Sequence, residues 1–486
     1  MKTRKALSLF FCTVAFAAGA ATVSIDTAKR AAGSWAISDA SLGVPHGPTV
    51  SGATAYDVDG TTGFYAVSLE GGGTLFLAAD DEIGPILAFT AESNPDLSAE
   101  SPLLNLLSRD VKARRGVVAE GSEQINLSSR GSFKATGSST AAGAASQRGD
   151  AAQTAKKLWA LFTATEEQSS GQSGPVKFGA MAEAREVIAD SDMRVAPILT
   201  TQWSQTRDKA GKNCYNYYTP QNYPCGCVAT AAGQILKRWG YPTGTLDSFS
   251  TSECTVDGVP TDLDSTNPRH YYWDLMVDKP GAATSDESRQ AIGALLYDLG
   301  ISFRASYSSG FTGAYEYDVS GPLHNLFNYA SAYTYSSRRD TDDLALHTAP
   351  MRQRIILANL DARRPVELYI MSNKAGGHAV VADGYGYVTI GGEEVEFTHI
   401  NMGWAGTDDM WYNLPIVQTK EAGSTAGQSG GYTFELLMGA TFNIHPTETG
   451  DLLTGRIVED GEPVEGAIVT VRNAGSSTDI ATTTLT

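Results

Sequence analysis

The segment PCGCVATAAGQILKRWGYP, residues 224–242, limits the fold of this chain more tightly than any other stretch. Its apolar residues are Val228, Ala231, Ala232, Ile235, Leu236 and Trp239. That is the i, i+3, i+4, i+7, i+8, i+11 spacing of a helix with one buried face. Lys237 and Arg238 suit the negative end of its dipole, and Gly240 and Pro242 end it. Pro224 and Gly226 interrupt the pattern on the other side, so Cys227 falls at or just before the helix start. There the positive end of the dipole lowers a thiol pKa, and the unpaired backbone N–H groups can hold a developing oxyanion. A small buried cysteine, or half of a disulfide, would occupy the same position, and spacing alone does not decide among these.

A cysteine nucleophile needs a base, and the base needs an orienting group. In GGHAVVADGYGYV, Gly376 and Gly377 precede His378 and an apolar run that reads as a buried strand. EEVEFTHIN, residues 393–401, reads as the next strand, with Gly391-Gly392 as the hairpin turn. Closing that hairpin returns Asn401 to within a few residues of His378, where its side chain can accept from an imidazole N–H. His399 competes for the role of base, two residues before Asn401 on the same strand face. The glycines beside His378 allow close backbone approach and favour it, although a lone histidine is commonly a hydrogen-bonded structural residue. The pattern G-x-S-x-G at Gly427–Gly431 lies in a Ser/Gly/Thr loop and not on a strand-to-helix turn. No H-E-x-x-H, P-loop or dinucleotide fingerprint occurs, and no metal or cofactor is expected.

Charge narrows the partners. Lys and Arg total 36 against 54 Asp and Glu, a net charge of −18. A nucleic-acid binder needs a basic face to displace counterions from phosphate, so nucleic acid is excluded as a partner. The N-terminal MKTRKALSLFFCTVAFAAGAA has a basic start, a short apolar run and the small-x-small sequence Ala18-Gly19-Ala20. It reads as a secretory signal peptide, residues 1–21. The expected location is secreted or extracytoplasmic, the cell surface or periplasm included. No later stretch is apolar for long enough to span a membrane as a helix. Cys214, Cys225, Cys227 and Cys254 follow the leader. An oxidising compartment favours disulfides, and Cys227 is expected to stay free while two of the others pair.

The length of 486 residues, at roughly 150 per domain, suggests about three domains. Short alternating runs in residues 22–110 read as a small sheet. Residues 127–153 lack large apolar side chains and read as a flexible linker, with a short helix expected over 154–164. Aromatic residues are densest from about Trp203 to Phe442. After Pro446, period-2 strands and tight turns suggest part of a β-sandwich, cut short of the usual length.

Several of these segments resemble those of a known family. GCVATAAGQILKRWGYP resembles the nucleophile segment of the streptopain family of secreted papain-like cysteine peptidases, usually close to TGCVATAxAQIMKYWxYP. GGHAVVADGYG resembles its GGHAxVxDG segment, and HINMGWAGTDDMWYNL its HVNWGWGGxxDGxF segment. The resemblance covers residues 195–446, and GFYAVSLEGGGTLFLAADDEIGPILAFTAES resembles the pro-segment that precedes such domains. It implies an α+β fold: a helical half carrying Cys227, and an antiparallel sheet carrying His378 and Asn401. Carried over by position, Cys227 is the nucleophile, His378 the general base and Asn401 the residue orienting the imidazole. Trp404 is the tryptophan beside that pair. Gln205 is the oxyanion-hole glutamine, with Gln202 a nearby competitor. The sequence departs from the family at Met402, where a tryptophan is usual, and at Cys225, often a polar position.

The implied organisation is a signal peptide (1–21), an α+β pro-domain with linker (22–194), a peptidase domain (195–446) and a partial β module (447–486). The implied activity is endopeptidase action on proteins or peptides, held in check by the chain's own pro-domain until cleavage between about residue 165 and Val195. Two rival readings use the same residues: an inactive homologue that acts as a binding protein, and a Cys-dependent acyl transferase.

Overall fold

The structure is a computed structural model. It describes residues 21–36, 42, 49–90, 95, 97–98, 101–120, 141–163, 189–314, 319–336, 349–372, 376–390, 393–413 and 437–449. Short pieces at 452, 454, 458–459, 462–463, 468–472 and 479–484 complete it. The leader (1–20), the Gly391-Gly392 turn and the Gly427–Gly431 pattern lie outside the described residues, as does the segment 164–188.

The chain begins with α1 (Ile25–Ala36), β1 (Val50–Val58), β2 (Thr61–Leu69), β3 (Thr74–Ala78), β4 (Ile86–Thr90), α2 (Pro102–Glu120) and α3 (Ala141–Thr163). It continues through β5 (Ala189–Val195), α4 (Cys227–Trp239), β6 (Ser250–Val256), β7 (Val259–Asp264), α5 (Asp286–Ser302) and β8 (Ser306–Tyr307). Then come α6 (Ser320–Phe327), β9 (Ser331–Ser336), α7 (Ala349–Asp361), β10 (Val366–Ser372), β11 (Gly376–Ile390), β12 (Glu393–Asn401), β13 (Met410–Tyr412) and β14 (Leu437–His445). Two hairpins close it: β15 (Val458–Glu459) with β16 (Glu462–Pro463), and β17 (Ile468–Arg472) with β18 (Asp479–Thr484). The mixture of helices and antiparallel sheet is the expected α+β class.

One sheet organises the molecule, in the order β1-β2-β3-β4-β13-β12-β11-β10-β14-β9, with β5 also on β11. The early strands were expected as a small sheet of their own. Instead β4 pairs with β13, Phe89 opposite Trp411 and Ala88 opposite Tyr412, and joins them to the later strands. Every residue of β3 and β4 is buried, as expected of strands covered on both faces.

Alternation along β11 sorts its side chains between two cores. Val380 and Ala382 join the core that holds Trp35, Phe64, Phe89 and Leu107 from the N-terminal part. Ala379 and Val381 join the core around α4 and α5, with Cys227, Ile235 and Leu296. Gly233 lets those two helices touch, because a Cβ there would meet Leu296 Cδ2 at 2.4 Å. The expected linker over 127–153 is corrected in its second half: α3 starts at Ala141. Its first turns are rich in alanine, the strongest helix former, so the helix forms there without large apolar side chains.

Candidate active site

The helix read from the spacing runs over Cys227–Trp239, with Gly226 as its N-cap at φ 90° and Gly240 as a left-handed C-cap. At Gly226 a side chain would be strained by that φ and would press within 3.1 Å of the Thr312 carbonyl. Cys227 is the first helical residue and is 9% exposed. Ala379 N–H lies against its sulfur, so the nucleophile candidate and the β11 segment after His378 are neighbours.

His378 is partly buried near the start of β11. Its ring stacks on Trp404, with centroids 4.6 Å apart and planes at 13°. Its Nε2 lies 2.9 Å from the Met402 carbonyl. A carbonyl only accepts, so Nε2 carries the hydrogen and, in the neutral ring, Nδ1 is the free base. Burial holds this imidazole neutral, pushing its pKa down to about 4 against the Met402 hydrogen bond. Burial also pushes the Cys227 thiol up to about 11, outweighing its backbone hydrogen bonds. The expected low thiol pKa is thereby corrected: desolvation of a buried sulfur exceeds the help of one helix end. No hydrogen bond joins Cys227 to His378 among the described residues.

Asn401 sits where the hairpin register puts it, opposite Val381, three residues along from His378. Its amide, however, is committed elsewhere. Oδ1 accepts from Gln234 Nε2 and from Gly403 N–H, each at 3.0 Å, and Nδ2 donates to the Thr201 carbonyl at 2.9 Å. The expected hydrogen bond from the imidazole to Asn401 is thus replaced by one to the Met402 backbone. A backbone carbonyl has no residue signature, which is why the sequence pointed to the adjacent side chain instead. Because the contact is made by the main chain, Met402 supplies it as well as any other residue; its own side chain is buried in the N-terminal core.

His399, the competing base, forms an ion pair with Asp383 at 2.6 Å and meets the Trp411 ring edge-on. Burial opposes its charged form, but the Asp383 carboxylate outweighs burial and raises its pKa. His399 and Asn401 line a cavity of about 620 Å³ together with Thr90, Gln202, Asp278 and Trp411. Gln205 receives Cys225 N–H on its carbonyl at 2.8 Å, beside the turn that leads into Cys227. Gln202 lies against Gly406, where a Cβ would meet its amide carbon at 2.6 Å.

All four cysteines after the leader are free and buried, which corrects the expected disulfide pairing. Cys225 turns its sulfur to Thr230 Oγ1 at 3.3 Å, and burial raises its pKa to about 12. It is a packed structural thiol. Sequence reasoning missed Gln234 and Thr230. Thr230 donates from Oγ1 to Ser204 or Gly226 carbonyls at 3.2 and 3.0 Å, tying α4 to the Gln205 segment. Their polar character on the buried face of α4 was the available signal.

Residues 209–412 match the Peptidase C10 family model. Streptopain from Streptococcus pyogenes is 29% identical over 240 residues, 45% of this chain and 56% of that protein. The chain therefore spans little more than half the length of this relative. The thiol protease/hemagglutinin PrtT of Porphyromonas gingivalis is 27% identical over 211 residues, covering 43% of this chain and 22% of that protein. A prointerpain A fragment from Prevotella intermedia shares the fold, with TM-score 0.52 and 16% identity over 81% of this chain and 99% of that one. Over residues 209–412 this chain is thus similar to the Peptidase C10 family and, within it, to the cysteine peptidase streptopain.

Proposed function

We propose that the chain is the precursor of a secreted cysteine endopeptidase. Cys227 is the nucleophile and His378 the general base. The observation that carries this reading is the hydrogen bond from His378 Nε2 to the Met402 carbonyl. It fixes the tautomer that leaves Nδ1 unprotonated, on a residue adjoining Ala379, whose N–H meets the Cys227 sulfur.

The resting pair is a neutral thiol and a neutral imidazole. As substrate binds, the thiol proton passes to Nδ1 and the sulfur attacks the peptide carbonyl. The Cys227 N–H at the start of α4 and the Gln205 side chain hold the oxyanion. The Nδ1 proton then goes to the leaving amine, giving an acyl-enzyme. Water, deprotonated by Nδ1, releases the new carboxyl group. Trp404 covers the imidazole and limits its contact with water.

Residues 1–21 direct export and 22–194 form the pro-segment, which keeps 195–446 inactive until the connection near 165–195 is cut. The substrates are proteins or peptides. The reading is tested with a fluorogenic peptide. Cys227→Ala should abolish turnover with the fold intact, while Cys225→Ser keeps most of it. Loss with Cys225→Ser and retention with Cys227→Ala would overturn the assignment.

A further inference from the structure

Gln234 lies about two turns beyond Cys227 on α4 and is 0% exposed. Both ends of its amide are used. Oε1 accepts from Trp203 N–H at 3.2 Å, and Nε2 donates to Asn401 Oδ1 at 3.0 Å. The same Asn401 oxygen accepts from Gly403 N–H at 3.0 Å. Gly403 N–H and the Met402 carbonyl are the two ends of one planar peptide unit. That carbonyl accepts from His378 Nε2. The relay therefore runs Gln234, Asn401, the 402–403 peptide, His378.

We infer that Gln234 is a positioning residue: through Asn401 it sets the plane of the 402–403 peptide and, with it, the tautomer and angle of His378. This rests on His378 being the base. Cys227 and Gln234 share one rigid helix, so the nucleophile and the origin of the orienting relay move together, the arrangement that keeps a reacting pair in register. Asn401 acts through the peptide and not by touching the imidazole. Groups one step removed from the reacting atoms are commonly worth about 10–100-fold in activity.

The test is Gln234→Glu. A neutral glutamic acid can reproduce both contacts, its O–H donating to Asn401 Oδ1 and its carbonyl accepting from Trp203 N–H. An ionised carboxylate cannot donate to Asn401. The matured variant should therefore turn over a fluorogenic peptide within about threefold of wild type at pH 5. It should then lose about 10–100-fold in kcat by pH 8.5, with KM little changed, a decline absent from wild type. A profile parallel to wild type, together with wild-type kcat in Gln234→Leu, would overturn the inference. Should Gln234→Glu not fold, Gln234→Leu replaces it, with a kcat loss of about 10–100-fold expected at every pH; wild-type kcat in that variant would overturn the inference. Cys227→Ala is run alongside. If it abolishes turnover while the Gln234 variants behave as wild type, only the relay falls. If it retains turnover, the underlying reading of the site falls as well.

Discussion

At Cys227 two effects oppose one another: the helix start favours a thiolate, and desolvation opposes it more strongly, pushing the thiol up to about 11. Alkylation of Cys227 by iodoacetamide in the uncut chain should therefore be slow at neutral pH and still rising above pH 9. A rate already at its plateau by pH 6 would show a stabilised thiolate instead. The two histidines separate just as clearly. His378→Ala should lower turnover by about 10²–10⁴-fold, whereas His399→Ala should act on stability. The folded pKa of His399 is raised, its Asp383 pair outweighing burial. Its stabilising contribution is thus fully present below the unfolded value and fades as pH rises through the folded one. The stability gap between wild type and His399→Ala, measured by urea unfolding, should be wider at pH 5.5 than at pH 8.5. An equal gap at both would contradict the ion pair.

The turn between β12 and β13 holds the His378 imidazole in place through the Met402 carbonyl, and it is built from left-handed backbone. Gly403, Ala405, Gly406 and Asp408 have φ values of 68°, 57°, 85° and 64°. Ala405 carries a Cβ in a region that favours glycine, while its N–H donates to the Trp203 carbonyl at 3.0 Å. Ala405→Gly should stabilise the chain by about 1 kcal/mol, the strain relieved being partly offset by glycine's larger unfolded entropy. Urea unfolding checks the sign. The helix α4 was legible in the sequence because its apolar period of 3.6 is long, and the β11–β12 hairpin because an apolar run and the strand-like EEVEFTHIN flank the Gly391-Gly392 turn. The β12–β13 turn was legible only as a family motif. Its chemistry lies in the Met402 carbonyl and the Gly403 N–H, groups that every residue type supplies. The Cys227 pKa was misjudged for a related reason: the helix end is written in the local sequence, but the β11 strand that buries the sulfur arrives from about 150 residues away.

Across the whole molecule, a pairing of only two residue pairs between β4 and β13 fuses the N-terminal strands with the later sheet. So short a match leaves no pattern to read, which is why two sheets were expected. Behind that seam Trp35 lies 5.4 Å from Phe89, 5.7 Å from Phe162 and 5.9 Å from Phe397. Trp35→Ala should cost about 3–5 kcal/mol, and it should destabilise α1 and β12 together. Hydrogen exchange that loosened in α1 but left β12 unchanged would argue against one shared core. The functional account itself depends on a single sulfur. Its most direct test is to treat the matured protein with a peptidyl epoxide that alkylates nucleophilic thiols, and to locate the adduct by peptide mass spectrometry. The account predicts one adduct, on Cys227, formed in step with loss of activity and absent from His378→Ala. An adduct on Cys214, Cys225 or Cys254, or full inactivation with Cys227 unmodified, would contradict it.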